Sequence, residues 1–190
     1  MSTITVVKKN GYAAIASDTL TKWDYIKESA EYIANHEKII RVGESYIGIA
    51  GSMTFGQSVR DYLSRPDIEI DLNSKEAIFA TWTSLHRVLK EDYYLNPDED
   101  EQSSFESTRA ETLVANKYGI FGISAYRSVQ EFTKFYACGG GCEFALGAMY
   151  AIYKEERYTA EEIARIGVEG SAEFDDSTGL PVVSYSLKLR

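Results

Sequence analysis

Met1-Ser2-Thr3-Ile4-Thr5-Val6-Val7-Lys8-Lys9-Asn10-Gly11-Tyr12-Ala13-Ala14-Ile15-Ala16-Ser17-Asp18 opens the chain and decides how it is read. Two apolar runs, residues 4–7 and 12–16, flank Asn10-Gly11, a dipeptide suited to a two-residue hairpin turn. The pattern predicts a hairpin whose returning strand ends at Asp18, near the start of the outgoing strand. Ser2 follows the initiator methionine and is small enough for that methionine to be removed. Removal would leave one residue bearing both a hydroxyl and a free α-amine, a nucleophile together with its base. Asp18 would stand where a buried acid can organise such a terminus. A plainer reading stays open at this point. Met-Ser-Thr is a common beginning, and Asn-Gly hairpins occur widely.

Working outward, 190 residues with 44% hydrophobic content suit a single domain, 1–190, with a sizeable core. The formal net charge of -9 argues against a nucleic-acid binder, which needs a basic surface to displace counterions. It argues equally against anionic membranes as partners. No apolar run approaches the ~20 residues of a membrane span. The start lacks the apolar stretch and cleavage site of a secretory signal, so a cytoplasmic location is expected. Cys138 and Cys142 flank three glycines, and His36 and His86 are far from both in sequence. That spacing forms no zinc motif, so no metal and no cofactor are expected and the thiols read as reduced.

The rest of the chain alternates in blocks. Residues 25–33 are read as a weak third strand, with Glu28-Ser29-Ala30 against it. Residues 37–42 and 46–50 predict a second hairpin, turning at Gly43-Glu44-Ser45. Residues 52–63 read as a helix with Phe55, Val59, Tyr62 and Leu63 on one face, stopped by Pro66. Ser74 caps a second helix, 75–91, in which Ile78, Phe79, Trp82, Leu85 and Leu89 follow the helical period. An acidic segment at about 92–107, centred on Asp98-Glu99-Asp100-Glu101, is read as a mobile solvated loop, with a docking surface as the alternative. Strands are expected at 111–123 and 129–137. Gly139-Gly-Gly141 then opens a helix, 142–154. A glycine turn before a helix can cradle phosphate, but Glu143 would repel an anion there, and close packing of turn on strand is the better reading. Thr159-Ala-Glu-Glu162 is a capping box for the last helix. Asp175-Asp-Ser-Thr-Gly179 is a turn, and 181–189 a closing strand. Segregated strand and helix blocks predict an α+β fold. Two antiparallel sheets with helix pairs outside would make a four-layer αββα sandwich.

Read together, these stretches resemble a β-type subunit of the proteasome family, among the N-terminal nucleophile hydrolases, closest in character to the bacterial, HslV-like branch. Ser2-Thr-Ile-Thr-Val-Val is similar to the family's mature start, and Ala16-Ser-Asp18 to the acid closing its second strand. Glu37-Lys38-Ile39 resembles the step that supplies the site lysine. Ile47-Gly-Ile-Ala-Gly-Ser52 resembles the strand-to-helix turn with the oxyanion-binding glycine. Gly139-Gly-Gly-Cys-Glu-Phe-Ala-Leu-Gly147, Tyr158-Thr-Ala-Glu-Glu-Ile163 and Asp175-Asp-Ser-Thr-Gly179 follow in the family's order. Each motif is short, and their collinearity over nearly the whole chain carries the resemblance.

The resemblance implies a site of Ser2, Asp18, Lys38, Gly51, Asp175 and Thr178. The Ser2 oxygen would attack a peptide carbonyl, with its own α-amine as base. Lys38, held by Asp18, would lower the hydroxyl's pKa, and the Gly51 N–H would bind the oxyanion. Asp175 and Thr178 would orient the terminus. Departures are visible. Ser replaces the usual Thr nucleophile. The interval from Asp18 to Lys38 is longer than usual, which leaves Lys22 and Lys27 as rival lysines. Gly140 stands where most relatives carry a serine, and Thr178 where they carry another. The implied partners are further copies of the chain in a stacked double ring, and peptide or unfolded protein substrates. An ATPase ring serves some relatives. Two other readings remain open: an amidohydrolase or transpeptidase with one defined substrate, and a weak or inactive ring-forming scaffold favoured by the missing hydroxyl at Gly140.

Overall fold

The computed structural model describes residues 2–97 and 103–190. The centre of the expected acidic loop, residues 98–101, lies outside the described residues. The opening hairpin forms from β1 (Thr3–Lys9) and β2 (Tyr12–Ser17), paired antiparallel. Asn10 and Gly11 take φ of 50° and 77°, the left-handed pair that a type I′ turn requires. Residues 25–33 do not form the expected strand. Instead β3 (Thr21–Trp23) and β4 (Ile26–Glu28) make a small ribbon of their own around Asp24, which takes φ of 52°. The second hairpin is β5 (Ile39–Val42) with β6 (Ser45–Ala50).

Ser52 caps α1 (Met53–Ser64) by accepting the Phe55 N–H at 3.1 Å, and Ser74 caps α2 (Lys75–Glu91) by accepting the Ala77 N–H at 3.1 Å. The two long strands expected next are four. Asn116 breaks the first, because its side-chain oxygen accepts the N–H groups of Tyr118 and Gly119 at 2.9 and 3.2 Å. The products are β7 (Glu111–Asn116) and β8 (Gly119–Ile123). The second splits at Thr133-Lys134 into β9 (Val129–Phe132) and β10 (Phe135–Gly139), and β10 pairs with β1 in the other sheet. Then come α3 (Cys142–Ile152), shorter than expected, α4 (Ala160–Phe174) behind its Thr159–Glu162 capping box, and β11 (Val183–Lys188).

The result is an α+β fold with a first sheet ordered β10-β1-β2-β11 and a second ordered β5-β6-β7-β8-β9. Every pairing in them is antiparallel. Period-two alternation sends the hairpin's side chains into two cores. Ile4, Val6, Ala13 and Ile15 cluster with Leu113, Ala115 and Ile120 of the second sheet. Val7, Ala14 and Ala16, on the opposite pleat, cluster with Ala145 and Met149 of α3 and Ile163, Ala164 and Val168 of α4. A third cluster joins Ile47, Ile49, Val114 and Phe121 to Val59 and Tyr62 of α1 and Trp82, Leu85 and Leu89 of α2. Burial on both faces explains why these strands read as apolar runs and not as alternating ones. Among the described residues, no helix is long and apolar enough to cross a membrane.

Candidate active site

Burial of the hairpin fixes what surrounds Ser2. The residue is 4% exposed, and its carbonyl accepts the Gly140 N–H at 2.9 Å. Ser2 is therefore clamped against the end of β10 just before β1 begins. Gly139 makes that approach possible. Its φ is +93°, and a β-carbon there would sit 1.9 Å from the Ser2 carbonyl oxygen. At Gly141 a β-carbon would lie 2.5 Å from Thr3 Oγ1. The glycine turn thus serves close packing against β1.

Asp18 directly follows the returning strand and has no exposed surface. A buried carboxylate is tolerable only when its oxygens are well supplied with donors. Asp18 has four. Oδ1 accepts the Thr3 N–H at 3.0 Å and Lys38 Nζ at 2.7 Å; Oδ2 accepts the Leu20 N–H at 3.1 Å and the Gly179 N–H at 3.3 Å. Lys38, just before β5, also donates to the Leu20 carbonyl at 2.7 Å. Burial lowers the Lys38 pKa from the ordinary lysine value, and the charge and hydrogen bond of Asp18 oppose that shift without cancelling it. The rival lysines lie elsewhere. Lys22 pairs with Asp176, and Lys27 is exposed on β4.

Asp175 caps the C-terminus of α4, and its Oδ2 accepts the hydroxyls of Ser177, at 2.7 Å, and Thr178. Burial works against this carboxylate, but the hydrogen bonds from Thr178 and Ser177 outweigh it and hold its pKa below the usual range. Thr178 Oγ1 and Thr3 Oγ1 are 2.6 Å apart. Since the Thr178 hydroxyl gives its proton to Asp175, Thr3 is the donor in that contact. Asp175 and Thr178 therefore reach the terminus through Thr3, the neighbour of Ser2. Gly51 directly follows β6 with no room for a side chain, since a β-carbon would meet Ala110 Cβ at 2.8 Å.

Sequence reasoning overlooked Thr3, Ser177 and Glu111. Alternation along β1 was the available signal for Thr3, because Thr3, Thr5 and Val7 share a pleat. Glu111 begins β7 opposite Ala50, and its Oε2 lies 3.4 Å from the Gly139 nitrogen as an acceptor. Burial pushes the Cys138 thiol well up, and the charge of Glu111 adds to that. The Cys142 thiol is also raised, by burial and then by Glu111 and Glu143. Both therefore stay neutral thiols, poor nucleophiles and poor ligands. Among the described residues no cluster of His, Cys, Asp or Glu is arranged to hold a metal.

No protein-family model and no curated relative matches the chain. Solved structures do. "Thiobacillus denitrificans BPH in complex with Epoxomicin" matches at 52% identity and a TM-score of 0.93, covering 99% of each chain. A second structure of Thiobacillus denitrificans BPH matches at 52% identity and a TM-score of 0.94, over 99% of this chain and 98% of that one. HslV from Trypanosoma brucei, at 20% identity and a TM-score of 0.66 over 98% and 99% of the two chains, shares the fold. Identity of 52% over nearly the whole of both chains means that this chain belongs to the bacterial proteasome-homologue family, a proteasome-like group.

Proposed function

We propose that the chain is a peptidase subunit of a self-compartmentalising ring, with Ser2, freed by removal of Met1, as its nucleophile. The single observation that carries this reading is the buried Asp18–Lys38 pair, which fixes the backbone next to Ser2 through the Thr3 N–H. A buried ion pair is weak evidence for stability on its own, so its placement beside a potential nucleophile favours a chemical role.

In this reading the Ser2 hydroxyl attacks a peptide carbonyl and passes its proton to the α-amine. That group has an ordinary pKa of ~7.7–8.0, suited to general-base work near neutrality. The Lys38 ammonium stabilises the developing alkoxide and keeps its own proton. The Gly51 N–H receives the oxyanion; losing one such donor typically costs roughly 3–4 kcal/mol of barrier. The protonated α-amine then supplies the proton to the leaving amine, and water releases the acyl ester. Asp175 and Thr178 hold the terminus through Thr3. No step calls for a cofactor.

The three hydrophobic clusters support a four-layer αββα arrangement. Large exposed apolar side chains, Trp23 at 65%, Tyr25 at 81% and Phe174 at 72%, support association with further copies. A stacked double ring with the sites inside would shield other proteins from the peptidase, and an ATPase ring would feed it. Epoxomicin, bound by the BPH relative, is the probe of choice. An epoxyketone carries two electrophilic carbons, which a residue bearing both hydroxyl and free amine can take up together. The test is hydrolysis of peptides and unfolded protein by the untagged chain, the Ser2→Ala chain, and a chain extended before Met1. Turnover by the first alone supports the reading, and equal turnover by all three sinks it.

A further inference from the structure

An N–H can receive an oxyanion only where the backbone holds it in place. For Gly51 that support is not the sheet alone. The last rung between β6 and β7 joins Ala50 to Glu111, one residue short of Gly51. Beyond that rung Gly51 packs on Ala110, so closely that a β-carbon on it would lie 2.8 Å from Ala110 Cβ. Ala110 is buried but belongs to no strand. Its place is set by the segment 106–110, which is pinned from two sides. One side is the turn between β8 and β9. The Thr108 N–H and hydroxyl both donate to the Ala125 carbonyl, at 2.7 and 2.9 Å. Arg127, held at φ of 67°, donates from Nη1 to the Glu106 carbonyl at 2.7 Å. The other side is α2. His86 and Lys90, one helical turn apart, both reach the Glu106 carboxylate, His86 Nε2 at 3.0 Å and Lys90 Nζ at 2.5 Å.

His86 is the unexpected member of this clamp. It is buried, and its neighbours on the inner face of α2, Trp82, Leu85 and Leu89, are core residues. A carboxylate only accepts, so Nε2 carries the proton and Nδ1 is a bare acceptor. That Nδ1 is buried with no hydrogen-bond partner among the described residues. A buried polar atom left in this state costs stability, and an apolar side chain of similar size would avoid the cost. What the imidazole supplies in exchange is one directed bond to Glu106. Burial lowers the His86 pKa from the ordinary histidine value. The hydrogen bond and charge of Glu106 oppose that shift, and the Arg127 and Lys90 cations add to it. The neutral, donating ring is the form this environment favours.

We propose that His86 is a positioning residue for the oxyanion site: its bond to Glu106 holds residues 106–110, and Ala110 in turn holds Gly51. This rests on the reading of Gly51 as the oxyanion donor for a Ser2 nucleophile. Lys90 does not replace His86, because an ammonium on a flexible stem is a point charge that fixes no direction.

Three variants of the untagged protein test this. His86→Leu fills the space without a donor. His86→Gln keeps an N–H that can reach Glu106. Glu106→Ala removes the acceptor at a side chain that is 37% exposed, with little risk to folding. Peptide turnover is measured on each, together with the rate and the final extent of epoxomicin labelling. In His86→Leu and Glu106→Ala, kcat should fall roughly tenfold, part of the loss that removing an oxyanion donor outright brings. KM should stay within roughly twofold of native, because the lost interaction belongs to the transition state. Labelling should still go to completion, slowed by the same factor as kcat. His86→Gln should recover most of the loss. Native kcat in Glu106→Ala overturns the proposal. So does a fall in kcat that matches a fall in the fraction of sites labelled, which would make the clamp a matter of folding alone. His86→Gln no better than His86→Leu overturns it too. Should His86→Leu fail to fold, Glu106→Ala decides. A native chain that labels, with variants labelling at its rate, overturns this inference alone. A native chain that never labels overturns the nucleophile reading as well.

Discussion

Asp18 holds a buried charge with four donors around it, and one of those donors is itself charged. Substitution by asparagine would leave Lys38 facing a neutral oxygen, and breaking one side of a buried pair typically costs about 3–5 kcal/mol. Two pH effects follow from Lys38. Burial already lowers its pKa, so the folded protein binds fewer protons than the unfolded chain between that lowered value and the ordinary lysine value. Stability from this residue therefore rises with pH across that window. Activity runs the other way if the ammonium is needed, because the alkaline limb of kcat/KM falls as Lys38 loses its proton. In Asp18→Asn the group that opposes burial is gone, so the alkaline limb should move to lower pH. An alkaline limb that does not move would separate Lys38 from the chemistry. At the acid end, Thr178→Val removes a donor to Asp175 and the acceptor for Thr3. Asp175 has its pKa held down, so its contribution to stability is full above the ordinary carboxylate value and fades as pH falls through the depressed one. Thr178→Val should shrink that contribution and cost about 1–2 kcal/mol, read from urea melts at neutral and acid pH.

At the scale of elements, the turn after β10 carries the tightest constraint. Gly139→Ala would force a β-carbon into the Ser2 carbonyl and a side chain into positive φ. The turn would have to move, breaking the Gly140 N–H contact to Ser2, at an expected cost of about 3 kcal/mol or more together with loss of activity. Thr159→Ala is the contrasting case. It removes a capping box far from Ser2 in sequence and should lower stability by about 1 kcal/mol while leaving peptide turnover in place. The elements also show what the sequence could tell. Caps and turns with a local signature, Asn10-Gly11, Ser74 and Thr159, were legible because the chemistry that makes them lies within four residues; Ser52 read as the first helical residue and proves to be the cap before α1. The splitting of 111–123 and 129–137 was not. Apolar residues continue on both sides of Asn116, and only its side-chain turn marks the break. The handover of β10 to the first sheet depends on pairing with β1, more than a hundred residues away. Lys38 could be distinguished from Lys22 and Lys27 only once the fold had set Lys38 beside Asp18, Lys22 beside Asp176 and Lys27 in an exposed place on β4. Glu111 had no local mark, because its position depends on two sheets meeting.

For the whole molecule, the ribbon of β3 and β4 is the region that asks for a partner. Trp23, Tyr25 and Tyr32 are exposed, and residues 21–36 contribute nothing to any of the three hydrophobic clusters. A two-stranded ribbon is marginal by itself in water. Light scattering on the untagged protein should give a mass of several subunits, and Trp23→Ser with Tyr25→Ser should shift it toward the monomer. A monomeric native protein would contradict ring assembly. The central claim, a serine nucleophile at the mature terminus, is tested most directly by intact mass before and after epoxomicin. Loss of one methionine and gain of a single adduct, absent in Ser2→Ala, is the expected result. Retained Met1, or a mature chain that takes up no inhibitor, would contradict it.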